Sequence, residues 1–85
     1  MNREMLQQLL TTAKPGWRIK IDPNLSVATG NTHPRMVKFK GKLLTITYKG
    51  SFYVSVKEDN GDFSWDYHHI VGVMPPILLK RNPLS

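Results

Sequence analysis

The sequence predicts a mainly all-β fold: a small barrel of about five antiparallel strands with an N-terminal α-helix. Three observations carry this. From Gly41 to Val73 apolar and polar residues alternate in short runs, the period-2 pattern of half-buried strands. Lys49-Gly50 and Asp59-Asn60-Gly61 separate those runs. Glycine supplies positive φ at little steric cost, and Asn-Gly between alternating runs is among the strongest hairpin signals. The third observation is size. A chain of 85 residues without cysteine makes one domain that buries only roughly 60% of the surface its unfolded form exposes. It has no disulfide or thiolate metal site to staple it.

In chain order, residues 1–14 read as an amphipathic helix. Met5, Leu6, Leu9, Leu10 and Ala13 fall on one stripe, Asn2 is the expected N-cap, and Pro15-Gly16 stops it. Three turns are marginal in isolation, so the stripe is expected to pack on the barrel. Residues 15–74 form the barrel. Trp17, Ile19 and Ile21 alternate with Arg18, Lys20 and Asp22 in a first strand that Pro23 ends. Asn24 to Pro34 is a long polar loop. Arg35 to Lys40 fits either a helical turn or a short strand, and is taken as a turn that delivers Met36 and Phe39 to the core.

Leu43 to Tyr48, Ser51 to Lys57 and Asp62 to Trp65 then form a three-stranded meander. Its core face holds Leu44, Ile46, Phe52, Val54, Val56, Phe63 and Trp65. The segment 66–69 suits one 3₁₀ turn, and Ile70 to Val73 a closing strand. Residues 75–85 are a proline-containing tail in which Ile77, Leu78 and Leu79 either dock on the domain or form a sticky patch.

Gly16-Trp17-Arg18-Ile19, Gly41-Lys42 followed by Thr45-Ile46, and Val56 to Gly61 with Phe63-Ser64-Trp65 and Ile70 together resemble a group of small SH3-like proteins of phages and prophages of Gram-positive bacteria. Those read as a G-x-x-V-x-I strand, a G-K-x-x-T-I strand and an E-D-x-G-x-[FYW]-x-W hairpin before a 3₁₀ turn. The SH3-like repeats of mind-bomb-type ligases are similar. The resemblance spans about residues 15–73, with Ile19 in place of valine and His68-His69 where an aromatic or methionine is usual. It implies an SH3-like barrel and transfers no catalytic residue.

Charge is uneven. Glu58, Asp59, Asp62 and Asp66 lie in one stretch without Lys or Arg, leaving twelve basic against two acidic residues elsewhere. No apolar run approaches the roughly 18 residues of a membrane span, and the N-terminus lacks a signal-peptide pattern, so a cytoplasmic protein is expected. The EDNGD run lacks calcium-loop spacing. Adjacent His68 and His69 diverge, and His33 is distant in sequence, so no catalytic group, metal or cofactor is expected.

Two binding readings remain. The first is a protein-interaction module using Tyr53, Tyr67, His68 and His33, where Trp17, Phe63 and Trp65 either fill the core or form a ligand shelf. The alternative is a nucleic-acid-binding module using a basic face of Arg18, Lys20, Lys38, Lys40 and Lys42, the lysines lining one face if their segment is extended. Such a face is also ordinary edge protection on a small β protein.

Overall fold

The structure is a computed structural model in which residues 3–76 are described. In chain order these form α1 (Arg3–Thr12), β1 (Arg18–Ile21), a 3₁₀ helix (Pro34–Phe39), β2 (Leu43–Lys49), β3 (Val54–Val56) and β4 (Ile70–Met74). The strands make one antiparallel sheet in the order β3-β2-β1-β4. β2 belongs to two ladders. Its first half pairs with β1, placing Leu44 opposite Ile19, and its second half pairs with β3, placing Ile46 opposite Val56. An irregularity between Ile46 and Tyr48 marks the transition, as bulges do where a strand must bend and twist. No helix among the described residues is long and apolar enough to cross a membrane.

The alternation read in the sequence sets the core. Ile19, Ile21, Leu44, Ile46, Val54, Val56, Trp65 and Ile70 are all buried, joined by Leu25, Met36, Phe39 and Val73. The segment 35–40 is a turn, not a strand. In a 3₁₀ helix residues i and i+3 share a face, so Met36 and Phe39 both point inward while Arg35 and Lys38 are exposed. Phe39 meets Trp65 edge to face at 5.7 Å, a favoured aromatic arrangement. α1 packs on β4, with Leu6 and Ala13 buried and Leu9 and Leu10 half-buried against the core. Met5, expected on the buried stripe, is instead exposed.

The meander departs from expectation twice. The first turn does not sit at Lys49-Gly50. Lys49 still pairs with Val54, and the Gly50 N–H donates to the Tyr53 carbonyl at 2.8 Å. The tip is therefore Ser51-Phe52, and Phe52, expected in the core, is 89% exposed. Gly50 is needed for close approach: a Cβ there would lie 2.7 Å from Cζ of the Tyr53 ring.

The second turn forms as Asn-Gly predicts. Asn60 and Gly61 take φ of 58° and 76°, and the Asp62 N–H donates to the Asp59 carbonyl at 3.0 Å. The segment beyond this turn is not a strand. Between Asp62 and Trp65 the pairing reduces to one bridge, Val54 with Trp65, so four strands form among the described residues rather than five. The Phe63 N–H is drawn to the Asp59 side chain at 3.1 Å and is lost to a ladder. Phe63 itself is half-buried rather than core. The expectations for Asn2 and for Ile77, Leu78 and Leu79 fall outside the described residues.

Candidate functional site

The acidic run around the second turn is largely structural. Asp59 is 5% exposed, and its carboxylate accepts from the Gly61 N–H (2.8 Å), the Phe63 N–H (3.1 Å) and Nε1–H of Trp65 (2.9 Å). One buried anion thus anchors the turn and orients the largest core side chain, satisfying an indole N–H that burial would otherwise penalise. Glu58 accepts from the backbone N–H and hydroxyl of Thr45 at 2.7 and 2.9 Å, which clamps the end of β3 to β2.

Asp66 organises the turn between Trp65 and β4. Its Oδ1 accepts from the His68 N–H at 2.9 Å and meets Nδ1 of His68 at 3.1 Å. His69 donates its backbone N–H to the Asp66 carbonyl at 3.0 Å, closing a single turn. Its fully buried ring is held at both nitrogens. Nδ1 accepts from the Asp66 N–H at 3.1 Å, which leaves Nε2–H to donate to the Asn31 carbonyl at 3.3 Å. The long loop is thereby tied to the 66–69 turn. Asn31 sits at a φ of 55°, a conformation that Asn tolerates better than most residues. His68 also closes on this loop, its ring 3.5 Å from where a Cβ on Gly30 would be.

These anchors leave a cleft of about 310 Å³ on one side of the domain. α1 supplies one wall with Gln7, Leu10 and Thr11. The 50–53 turn supplies the other with Phe52 and Tyr53, and Trp65 and Tyr67 lie between. Lys49 and Asp66 contribute one charge of each sign to the lining. The rim is rich in exposed rings: Phe52 at 89%, Tyr48 at 56% and Tyr53 at 37%, with the two tyrosine rings 6.0 Å apart. Tyr67 stacks on His68 at 4.3 Å, and both also line an open depression beside Leu6, Thr29 and Gly30.

Of the residues singled out in the sequence, the structure brings Tyr53 and Tyr67 into the cleft and places His68 next to it. His33 is elsewhere. It caps the 3₁₀ helix, its Nδ1 accepting from the Arg35 N–H at 3.1 Å, and its ring lies 5.7 Å from Phe63. The basic residues divide between Arg18 and Lys20 on the outward face of β1, and Lys38, Lys40 and Lys42 on or just after the 3₁₀ helix. The extended segment that would line up the three lysines is absent.

Phe52 and the helix wall are parts of the cleft that sequence reasoning misses. The local signal for Phe52 is Ser-Phe after Gly50, which allows a four-residue connection. No local signal places α1 beside it. Among the described residues no group of three metal-ligating side chains converges. No protein-family model, curated protein or solved structure matches this chain.

Proposed function

We propose that the chain is a non-catalytic binding module of the SH3-like barrel type, which holds a segment of a protein partner in the cleft between α1, the 50–53 turn and Tyr67. The observation that carries this reading is Phe52. A phenylalanine held 89% exposed in the wall of a cleft that Tyr53, Trp65 and Tyr67 also line leaves apolar surface in water at a cost of about 25 cal/mol per Å². Burial against a partner recovers that cost, and aromatic anchors of this kind dominate interface energetics. One lysine and one aspartate in the lining suit a mixed-charge segment with apolar anchors.

The barrel type is supported by the strand order, by the sharing of β2 between two ladders and by the Val54–Trp65 bridge, which puts the Trp65 segment where a fifth strand would run. The association with phages and prophages rests on the sequence resemblance alone. The test is to pan a random-peptide library on the protein, with the Phe52→Ser variant as counter-selection. Enrichment of peptides that bind the wild type and not the variant is expected. Enriched peptides indifferent to Phe52 and to Tyr67→Ala would overturn the assignment of the cleft.

A further inference from the structure

We propose that Arg18, Lys20, Lys40 and Lys42 form a second binding surface, separate from the cleft, that takes the phosphate backbone of duplex nucleic acid. These residues come from two segments, and a backbone device joins them. Gly41, at a φ of 73°, donates its N–H to the Ile21 carbonyl at 3.0 Å, and the Ile21 N–H donates to the Lys42 carbonyl at 2.9 Å. Two residues thus oppose one, a bulge that needs glycine in the left-handed region. Lys40 and Lys42 flank Gly41 and are thereby pinned beside the end of β1. Across the next rung Lys20 faces Leu43, and Arg18 faces Thr45 one row further. On its other side Lys20 faces Gly72 and Arg18 faces Met74, so directly opposite Lys20 β4 presents a glycine.

No Lys or Arg of this surface forms an ion pair within the described residues. From Pro23 to Lys57 the chain has no Asp or Glu. Among the described residues the only basic side chains that approach Asp66 are the rings of His68 and His69. Asp59 turns its carboxylate to the Gly61 and Phe63 N–H groups and the Trp65 indole, and Asp22 accepts from the Asn24 N–H at 2.8 Å. Glu58, held by the N–H and hydroxyl of Thr45 opposite Arg18, is the one acid at the edge of the surface. Clustered like charges raise the local potential and attract a polyanion.

The chemistry favours a duplex backbone over a single strand, whose bases need aromatic platforms among the cations. The exposed rings at Tyr48, Phe52 and Tyr53 lie at the far end of β2, about 17 Å along the strand from Leu43 at a rise of about 3.4 Å per residue. The basic surface offers Leu43 instead. Contacts to phosphate alone predict binding without sequence preference and steeply dependent on salt.

Fluorescence anisotropy with a labelled duplex of about 20 base pairs tests this. Micromolar binding at about 50 mM salt is expected, with a slope of log K on log salt of about −4 for about four neutralised phosphates. That slope corresponds to a loss of roughly 100- to 500-fold by 200 mM. The paired substitution Lys40→Gln with Lys42→Gln should flatten the slope by about 2. Should that pair disturb the bulge, as circular dichroism would show, Arg18→Gln with Lys20→Gln on β1 makes the same measurement. Phe52→Ser should leave duplex binding unchanged. The proposal is overturned by absence of duplex binding at low salt, or by an unchanged slope in folded variants. Tighter binding of oligo(dT) that vanishes with Phe52→Ser, or of a Glu-rich peptide of equal charge, overturns it as well.

Discussion

Replacing Asp59 should unfold more of this domain than replacing any exposed acid. Its carboxylate is 5% exposed and receives three donors, the Gly61 and Phe63 N–H groups and Nε1–H of Trp65, which is itself fully buried. Asp59→Ala removes the acceptor and leaves the indole N–H and at least one backbone N–H without a partner. A hydrogen bond to a charged group contributes about 1.5–3 kcal/mol, and an orphaned buried donor costs about 1–3 kcal/mol. The three bonds share one carboxylate and do not add fully, so a loss of about 3–5 kcal/mol is expected. An 85-residue chain has about 4–13 kcal/mol in total at about 0.05–0.15 kcal/mol per residue. The variant therefore loses about 12 °C or more in Tm.

Asp59→Asn retains one oxygen for Trp65 or Gly61 but loses the charge, and should cost about 1–2 kcal/mol. Urea unfolding followed by tryptophan fluorescence gives both values, with an unchanged slope confirming that the folded state is the same. A midpoint for Asp59→Ala within experimental error of wild type would refute the reasoning. So would an Asn variant as damaged as the Ala variant.

Three other substitutions and truncations have outcomes set by the geometry. Gly61→Val puts a β-branched residue at a φ of 76° and should cost about 1–3 kcal/mol in the same assay. Gly50→Ala drives a Cβ into the Tyr53 ring. Because that ring is an exposed and movable end, stability should fall by less than about 1 kcal/mol, while nuclear magnetic resonance should show Tyr53 displaced from Tyr48. Deleting residues 1–14 removes Leu6 and Ala13 from the core, worth about 2–4 kcal/mol of burial. A lower Tm or aggregation is expected, and a monomeric domain with unchanged Tm would make α1 a free arm.

The strand core is legible in the sequence because each buried residue sits two positions from the next: Ile19 and Ile21, Leu44 and Ile46, Val54 and Val56. The Asn60-Gly61 turn is legible because both residues tolerate positive φ. Phe52 breaks the rule. Alternation continues through Ser51 to Val56 on paper, but four residues separate Lys49 from Val54, and Phe52 falls at the tip, where no opposite face exists. Asp59 looks like part of a solvated acidic turn. Only the approach of Trp65, six residues on, shows it to be a buried acceptor.

Leu25 and His69 are hidden for the same reason. One lies in a polar loop and the other in a polar turn, and each is buried by contacts distant in the chain. The cleft depends on α1 meeting the 50–53 turn, a juxtaposition of segments some forty residues apart that no local pattern encodes.

The central claim, that partner binding runs through this cleft, is tested most directly by mapping amide chemical shifts as a peptide selected on the wild type is titrated in. Perturbations should concentrate at Gln7, Leu10 and Thr11 on α1, at Phe52 and Tyr53, and at Asp66 and Tyr67, with Arg18, Lys20, Lys40 and Lys42 unmoved. Perturbations confined to the β1 face and the 3₁₀ helix, leaving Phe52 and Tyr67 untouched, would contradict it.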